Sequence, residues 1–259
     1  MPKLRFKDVD IHFTDIGKGP AVVLIHGFLE NVSMWAFVQE TLKSKRTICV
    51  DLPGHGESDC IGYVHTMEEM ADAVLAVLRH LKIRRISLVG HSMGGYVALA
   101  LAEKEPDMLR SLTLYHSTAR ADTMWKKRDR ERAIKLIKVN HKSFVRTSIP
   151  MLFKPSNRKR LGSEIKLLKS EALNTSKQGI VAALSGMRLR PNREVLLKFP
   201  PFPVFIIAGD KDPRIPLEES VQLSEISEFV QLNVIEGCGH MSFLEYPETA
   251  KKLLLAAVG

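Results

Sequence analysis

Between Ile86 and Glu103 an apolar run, a turn of small residues and a helical stretch follow one another without a spacer. The run Ile86-Ser87-Leu88-Val89 has the make-up of a buried strand, and Tyr96 to Glu103 reads as helix. The turn joining them is Gly90-His91-Ser92-Met93-Gly94-Gly95. So abrupt a passage from strand to helix forces the residue at the bend, Ser92, into a strained backbone conformation. Side chains at positions 90 and 94 would collide with neighbouring backbone, which is why both are glycine. The strain lifts the Ser92 hydroxyl clear of the sheet. It also sets that hydroxyl beside a helix N-terminus, whose unpaired N–H groups favour negative charge.

The same alternation of strand and helix runs along most of the chain. Lys3 to Phe6 and Ile11 to Asp15 read as two leading strands joined through Asp8-Val9-Asp10, and Gly17-Lys18-Gly19-Pro20 turns into a buried strand at Ala21 to Ile25. Thr47 to Val50 is the next strand. Thr66-Met67-Glu68-Glu69 has the form of a capping box, and Met70, Ala71, Val74, Leu75 and Leu78 follow at helical spacing. Further strands are expected at Leu112 to Tyr115, Val204 to Ala208 and Val230 to Ile235, with a last helix from Pro247 to Val258. Such a pattern predicts an α/β fold with a mostly parallel, doubly wound sheet, and 259 residues suffice for one such domain.

From about Ser117 to Leu196 strand-like runs give way to helical periodicity. This segment also carries the charge: Arg120 to Lys169 holds 16 Lys and Arg against 4 Asp and Glu, a surplus of 12 where the whole chain has a net +9. Charge runs such as Lys126-Lys127-Arg128 and Arg158-Lys159-Arg160 read first as solvated faces, and second as a field that draws in anionic substrates.

A serine hydroxyl needs a base, and the base needs a group to orient it. The apolar run Pro203 to Gly209 ends in Asp210-Lys211-Asp212-Pro213, and Val230 to Ile235 ends in Glu236-Gly237-Cys238-Gly239-His240. Acid and histidine thus both follow strands, on the edge where such sheets place their chemistry. The order is serine, acid, histidine. Asp210 competes with Asp212 for the acid's role and is read as a turn residue.

With His26-Gly27-Phe28 after the first buried strand and Asp51-Leu52-Pro53-Gly54-His55-Gly56-Glu57-Ser58 after the second, these motifs make the chain resemble the α/β-hydrolase superfamily, in its small soluble serine esterase-like branch. The resemblance implies an α/β-hydrolase fold with a core of residues 1–116 and 197–259 and a helical lid at 117–196. It further implies catalysis by Ser92, Asp212 and His240, an oxyanion hole of the Phe28 and Met93 backbone N–H groups, and a small-molecule acyl substrate cleaved through an acyl-enzyme on Ser92. Phe28, Trp35, Trp125, Met151 and Phe153 are candidate pocket walls. A serine at position 92 speaks against the relatives that use a carboxylate nucleophile. Thioester hydrolysis, carbon–carbon bond hydrolysis and peracid formation share the triad and stay open, as does a slow-turnover ligand sensor. His26 and His55 are read as loop hydrogen-bonding residues and His91 as packing beneath the turn.

Other classes find little support. Cys49, Cys60 and Cys238 lack paired spacing, and no histidines stand at i and i+4 on a helix, so neither a disulfide framework nor a metal site is expected, and no cofactor. Asp51 to Gly56 lacks the Lys-Ser/Thr ending of a phosphate loop. The charge comes without a recognition module, which argues against nucleic acid as a partner. No segment is apolar enough for a signal peptide or stable membrane insertion, so a cytoplasmic location is expected. No sequence feature assigns an oligomeric state.

Overall fold

A computed structural model describes residues 2–259. Its elements run β1 (Lys3–Phe6), β2 (Val9–Ile16), β3 (Ala21–Ile25), α1 (Ala36–Gln39), β4 (Arg46–Val50), α2 (Met67–His80), β5 (Ile86–His91), α3 (Met93–Lys104) and β6 (Leu109–Tyr115). They continue through α4 (Met124–Ser148), α5 (Gly162–Ala172), α6 (Lys177–Leu189), β7 (Val204–Gly209), α7 (Leu217–Ser224), β8 (Val230–Ile235), α8 (Ser242–Glu245) and α9 (Pro247–Val258). The strands form one sheet in the order β1-β2-β4-β3-β5-β6-β7-β8, antiparallel through β1, β2 and β4 and parallel from β4 to β8.

Every residue of β3 and of β5 is buried, as expected of strands covered on both faces. Helix α3 packs on β5 and β6 and against α2, while α9 lies over β6, where Ser111 Oγ donates to the Ala257 carbonyl at 3.0 Å. The capping box forms as read: Thr66 Oγ1 accepts from the Glu69 N–H at 3.1 Å. One expectation shifts. Val9 and Asp10 belong to β2, and the hairpin turns instead at Lys7 and Asp8, both in the left-handed region (φ 45° and 64°) that a two-residue hairpin turn demands.

Register places the chemistry. Ile25 lies beside Gly90, His91 beside Tyr115, Tyr115 beside Ile207, and Gly209 beside Ile235. The carboxyl ends of β3, β5, β6, β7 and β8 therefore form one edge, and the loops that follow them converge.

Between β6 and β7 the chain is built of helices. Helix α4 is bent at Asn140 (φ −150°, ψ 86°), whose Oδ1 accepts from the Ser143 N–H at 3.0 Å and so caps the second half. Inside the insertion, Asp122 pairs with Arg130 at 2.5 Å and Arg190 at 2.8 Å; across to the core, the buried Arg193 reaches Glu68 of α2 at 2.5 Å and Glu103 of α3 at 2.9 Å. Among the described residues no helix is long and apolar enough to cross a membrane.

Candidate active site

Ser92 stands between the last residue of β5 and the first of α3 with φ 50° and ψ −114°, a conformation L-residues adopt only under strain. The neighbouring glycines have no latitude. A Cβ on Gly90 would run into the Gly94 carbonyl, one on Gly94 into the Ile25 carbonyl, and one on Gly95 into Ser117 Oγ. At positions 90 and 94 the obstacle is backbone, so the bend itself demands glycine there, whereas at 95 the obstacle is the Ser117 side chain. The Ser92 N–H donates to the Tyr115 carbonyl at 2.9 Å, which holds the bend against β6.

His240, on the loop after β8, has its Nε2 2.8 Å from Ser92 Oγ and its Nδ1 2.7 Å from Asp212 Oδ2. Asp212 Oδ1 accepts the N–H groups of Arg214 at 2.8 Å and Ile215 at 3.1 Å. Burial works against ionising this carboxyl, but His240, together with hydrogen bonds from His116 and His240, outweighs it and holds Asp212 far below the usual carboxylate range. Asp210 is turned elsewhere: it accepts from the Cys238 N–H at 3.2 Å and pairs with Lys211. The structure thus brings Ser92, His240 and Asp212 into one hydrogen-bonded line and leaves Asp210 outside it.

The loop after β3 borders the same space. Phe28 is partly buried, edge-on to His55 with ring centroids 6.1 Å apart, and Leu29 beside it has φ 64°. Met93 heads α3, where the first N–H groups have no acceptor within the helix. Glu30 Oε2 accepts from the Gly27 N–H at 2.6 Å and from His91 Nδ1 at 2.9 Å, and His91 Nε2 donates to the His240 carbonyl at 3.1 Å. Burial disfavours a charge on His91, but the Glu30 carboxylate outweighs it and raises the imidazole above its ordinary range, while Glu30 is lowered against its own burial chiefly by His91. A buried ion pair therefore ties the loops of Gly27, Ser92 and His240 together. His26 serves the neighbouring loop: its Nδ1 donates to the Gly27 carbonyl at 2.7 Å and its Nε2 accepts from the Leu52 N–H at 2.9 Å.

The insertion touches the site directly. The His240 N–H donates to the Leu152 carbonyl at 2.8 Å. Glu245, buried in α8, accepts from Gly239 N–H at 3.0 Å and from Asn157 Nδ2 at 2.7 Å. The candidate wall residues separate into two groups. Trp35 and Phe153 are fully buried, and Trp35 packs on Phe37 and Tyr115, so both belong to the packed core rather than to an open pocket surface. Trp125 and Met151 are exposed on the insertion.

Sequence reasoning passed over His116 and Ser242. His116 Nδ1 lies 2.9 Å from the same Asp212 oxygen that His240 uses, and its Nε2 lies 2.8 Å from Ser242 Oγ. The one available signal was position, since His116 directly follows β6 on the edge that bears the other site residues. His116, Asp212 and His240 also form the cluster whose spacing would suit a metal ion, but their ligand atoms are already joined to one another by hydrogen bonds.

A family profile described as the alpha/beta hydrolase fold matches residues 20–247. A thermophilic esterase from Thermogutta terrifontis, solved with malate bound, superposes with a TM-score of 0.90 at 34% identity over 95% of this chain and 92% of that one. A dihydrolipoyllysine-residue acetyltransferase component of the acetoin cleaving system of Pseudomonas putida is 29% identical over 92% of this chain, which spans 63% of that relative's length. A putative 2-succinyl-6-hydroxy-2,4-cyclohexadiene-1-carboxylate synthase of Bacillus subtilis is 26% identical over 90% of this chain and 88% of its own. Sheet order, the strained turn at Ser92 and the matched span agree, and the chain belongs to the alpha/beta hydrolase fold family as a hydrolase.

Proposed function

We propose that the chain is a serine hydrolase that cleaves a carboxylic ester of a small or medium acyl substrate through an acyl-enzyme on Ser92. The observation that carries this reading is the line from Ser92 Oγ to His240 Nε2 at 2.8 Å and from His240 Nδ1 to Asp212 at 2.7 Å. In that line the imidazole takes the Ser92 proton as the hydroxyl attacks the carbonyl carbon, and the ionised Asp212 stabilises the resulting cation. The oxyanion settles on the backbone N–H groups of Phe28 and Met93, each worth about 3 kcal/mol of transition-state stabilisation. The proton on His240 then passes to the leaving alcohol, and the same imidazole activates the water that releases the acid. Helices α4 to α6 act as the lid over this edge, with Trp125 and Met151 on its exposed side. Likeness to a relative named as an esterase supports ester as the bond broken.

The test is hydrolysis of chromogenic esters of graded acyl length by the wild type and by Ser92→Ala. The expected result is a fall in kcat on the order of 10⁶-fold with the fold intact. A folded Ser92→Ala protein that turns over esters at the wild-type rate would sink the reading.

A further inference from the structure

His116 is a buried titratable group that the mechanism above does not use. Its φ is 48°, in the left-handed region that non-glycine residues adopt sparingly, histidine, asparagine and aspartate more readily than most. In a regular strand, successive side chains point to opposite faces of the sheet. The left-handed step at the end of β6 undoes this alternation, so that Tyr115 and His116 both reach one atom, Ser242 Oγ, at 2.5 Å and 2.8 Å.

Each proton in this chain of groups has one place. Asp212 is ionised and accepts only, so both imidazoles must donate to its Oδ2 from Nδ1. Burial lowers His116 to about 4, against the pull of Asp212, which leaves the ring neutral near pH 7. With Nδ1 carrying the proton, Nε2 holds a lone pair and accepts from the Ser242 hydroxyl. Ser242 Oγ in turn accepts from Tyr115 O–H, which burial keeps protonated. The groups that face His116 are Asp212, His240, His91, Tyr115 and Ser242. Asp212 thereby receives four hydrogen bonds, two on each oxygen, and has no freedom to turn away from His240.

We propose that His116 is a positioning residue for Asp212: its Nδ1–H, fixed in that tautomer by the Tyr115–Ser242 hydroxyl pair, shares the carboxylate oxygen that orients His240 and limits how strongly that oxygen holds the His240 proton. The proposal rests on the triad reading given above. Loss of the His116 donor leaves more negative charge on the shared oxygen, so protonated His240 is favoured and the carboxylate loses one of its restraints.

The experiment measures kcat, KM and the pH dependence of kcat/KM for His116→Leu, His116→Asn and Ser242→Ala on an ester that the wild type cleaves, with thermal melts to confirm folding. Asparagine tolerates the left-handed backbone and its Nδ2 can replace Nδ1 as donor. His116→Leu is expected to lower kcat about ten- to a hundredfold, the range for a lost hydrogen bond to a charged group, with KM little changed. The acid limb of the profile should move to higher pH in His116→Leu and return toward wild type in His116→Asn. Ser242→Ala, which removes a single oxygen, should move the limb the same way by less. A folded His116→Leu protein with wild-type kcat and an unmoved limb overturns the proposal. So does a loss of kcat that His116→Asn does not rescue while the limb stays in place. Should His116→Leu not fold, Ser242→Ala decides, and an unchanged limb there counts against the proposal. The imidazole resonances of His240 are titrated by NMR in the same variants, which needs no turnover. Full activity in Ser92→Ala would defeat the triad reading, whereas activity that depends on Ser92 but not on His116 or Ser242 defeats only this proposal.

Discussion

Two aspartates stand two positions apart after β7, and only hydrogen-bond geometry separates them. Asp212 receives His240, His116 and two backbone N–H groups, whereas Asp210 faces Lys211 and the Cys238 N–H. Replacing Asp212 with Asn keeps the shape but allows the wrong His240 tautomer, so kcat for ester hydrolysis should fall about 10⁴-fold. Asp210→Asn should keep kcat within a few-fold of wild type, and equal losses in the two variants would contradict the assignment. Ser92, Asp212 and His240 were readable from sequence because each follows a strand-forming run and sits in a glycine-bearing or acid-bearing turn. His116 was not readable. It belongs to no motif, and its partners Asp212 and Ser242 lie 96 and 126 residues away. Glu30 and His91, 61 residues apart, escaped for the same reason, since an ion pair between loops leaves no local pattern. Trp35 and Phe153 show the opposite limit: large apolar side chains announce burial, but sequence does not say whether they line a pocket or fill a core.

Within the basic helical insertion one buried carboxylate holds two arginines, one of which also reaches the core. Asp122 lies fully buried between Arg130 and Arg190, and Arg190 also stacks on the Tyr96 ring at 3.9 Å and donates to the Met187 carbonyl at 2.9 Å. Burial raises the Asp122 carboxyl, but the hydrogen bond and charge of Arg130, with Arg190 behind it, win and hold it below its usual value. A depressed carboxylate contributes stability that is present above its unfolded value of about 3.9 and lost as pH falls through the folded value. Asp122→Asn leaves the buried Arg190 and the part-buried Arg130 without their counter-charge and should cost roughly 3–5 kcal/mol in denaturant unfolding near neutral pH. The gap between wild type and variant should hold steady above about pH 5 and narrow below about pH 4, as the wild-type carboxyl takes up its proton. A gap that widens in acid would show that the Asp122 charge does not stabilise the fold. Sequence periodicity placed helices in this segment correctly but not the bend at Asn140, because an Asx cap inside a helix resembles an ordinary polar surface position.

Charge is divided unevenly over the molecule: the surplus of 12 between Arg120 and Lys169 lies on the insertion, against a net +9 for the whole chain. Part of it is neutralised locally, as Asp122, Asp129 and Glu131 pair with Arg130, Arg132 and Arg188. Much of the rest is open to solvent, including Arg128, Lys135, Lys138, Lys142 and Lys159. Because the Leu152 carbonyl accepts the His240 N–H, this charged body abuts the candidate site. A field of that sign raises the local concentration of an anionic substrate and falls away with salt, since the screening length drops from about 10 Å at 0.1 M to about 3 Å at 1 M. For an ester carrying a carboxylate or phosphate, kcat/KM should therefore decline as NaCl rises from about 0.05 to 0.5 M. A neutral ester of the same acyl group should stay nearly level, because salt then acts on nothing but the protein. The difference between the two slopes is the quantity that matters. A steep slope confined to the anionic ester assigns the cationic insertion a part in substrate capture, and parallel slopes reduce it to a solvated face that keeps the molecule in solution.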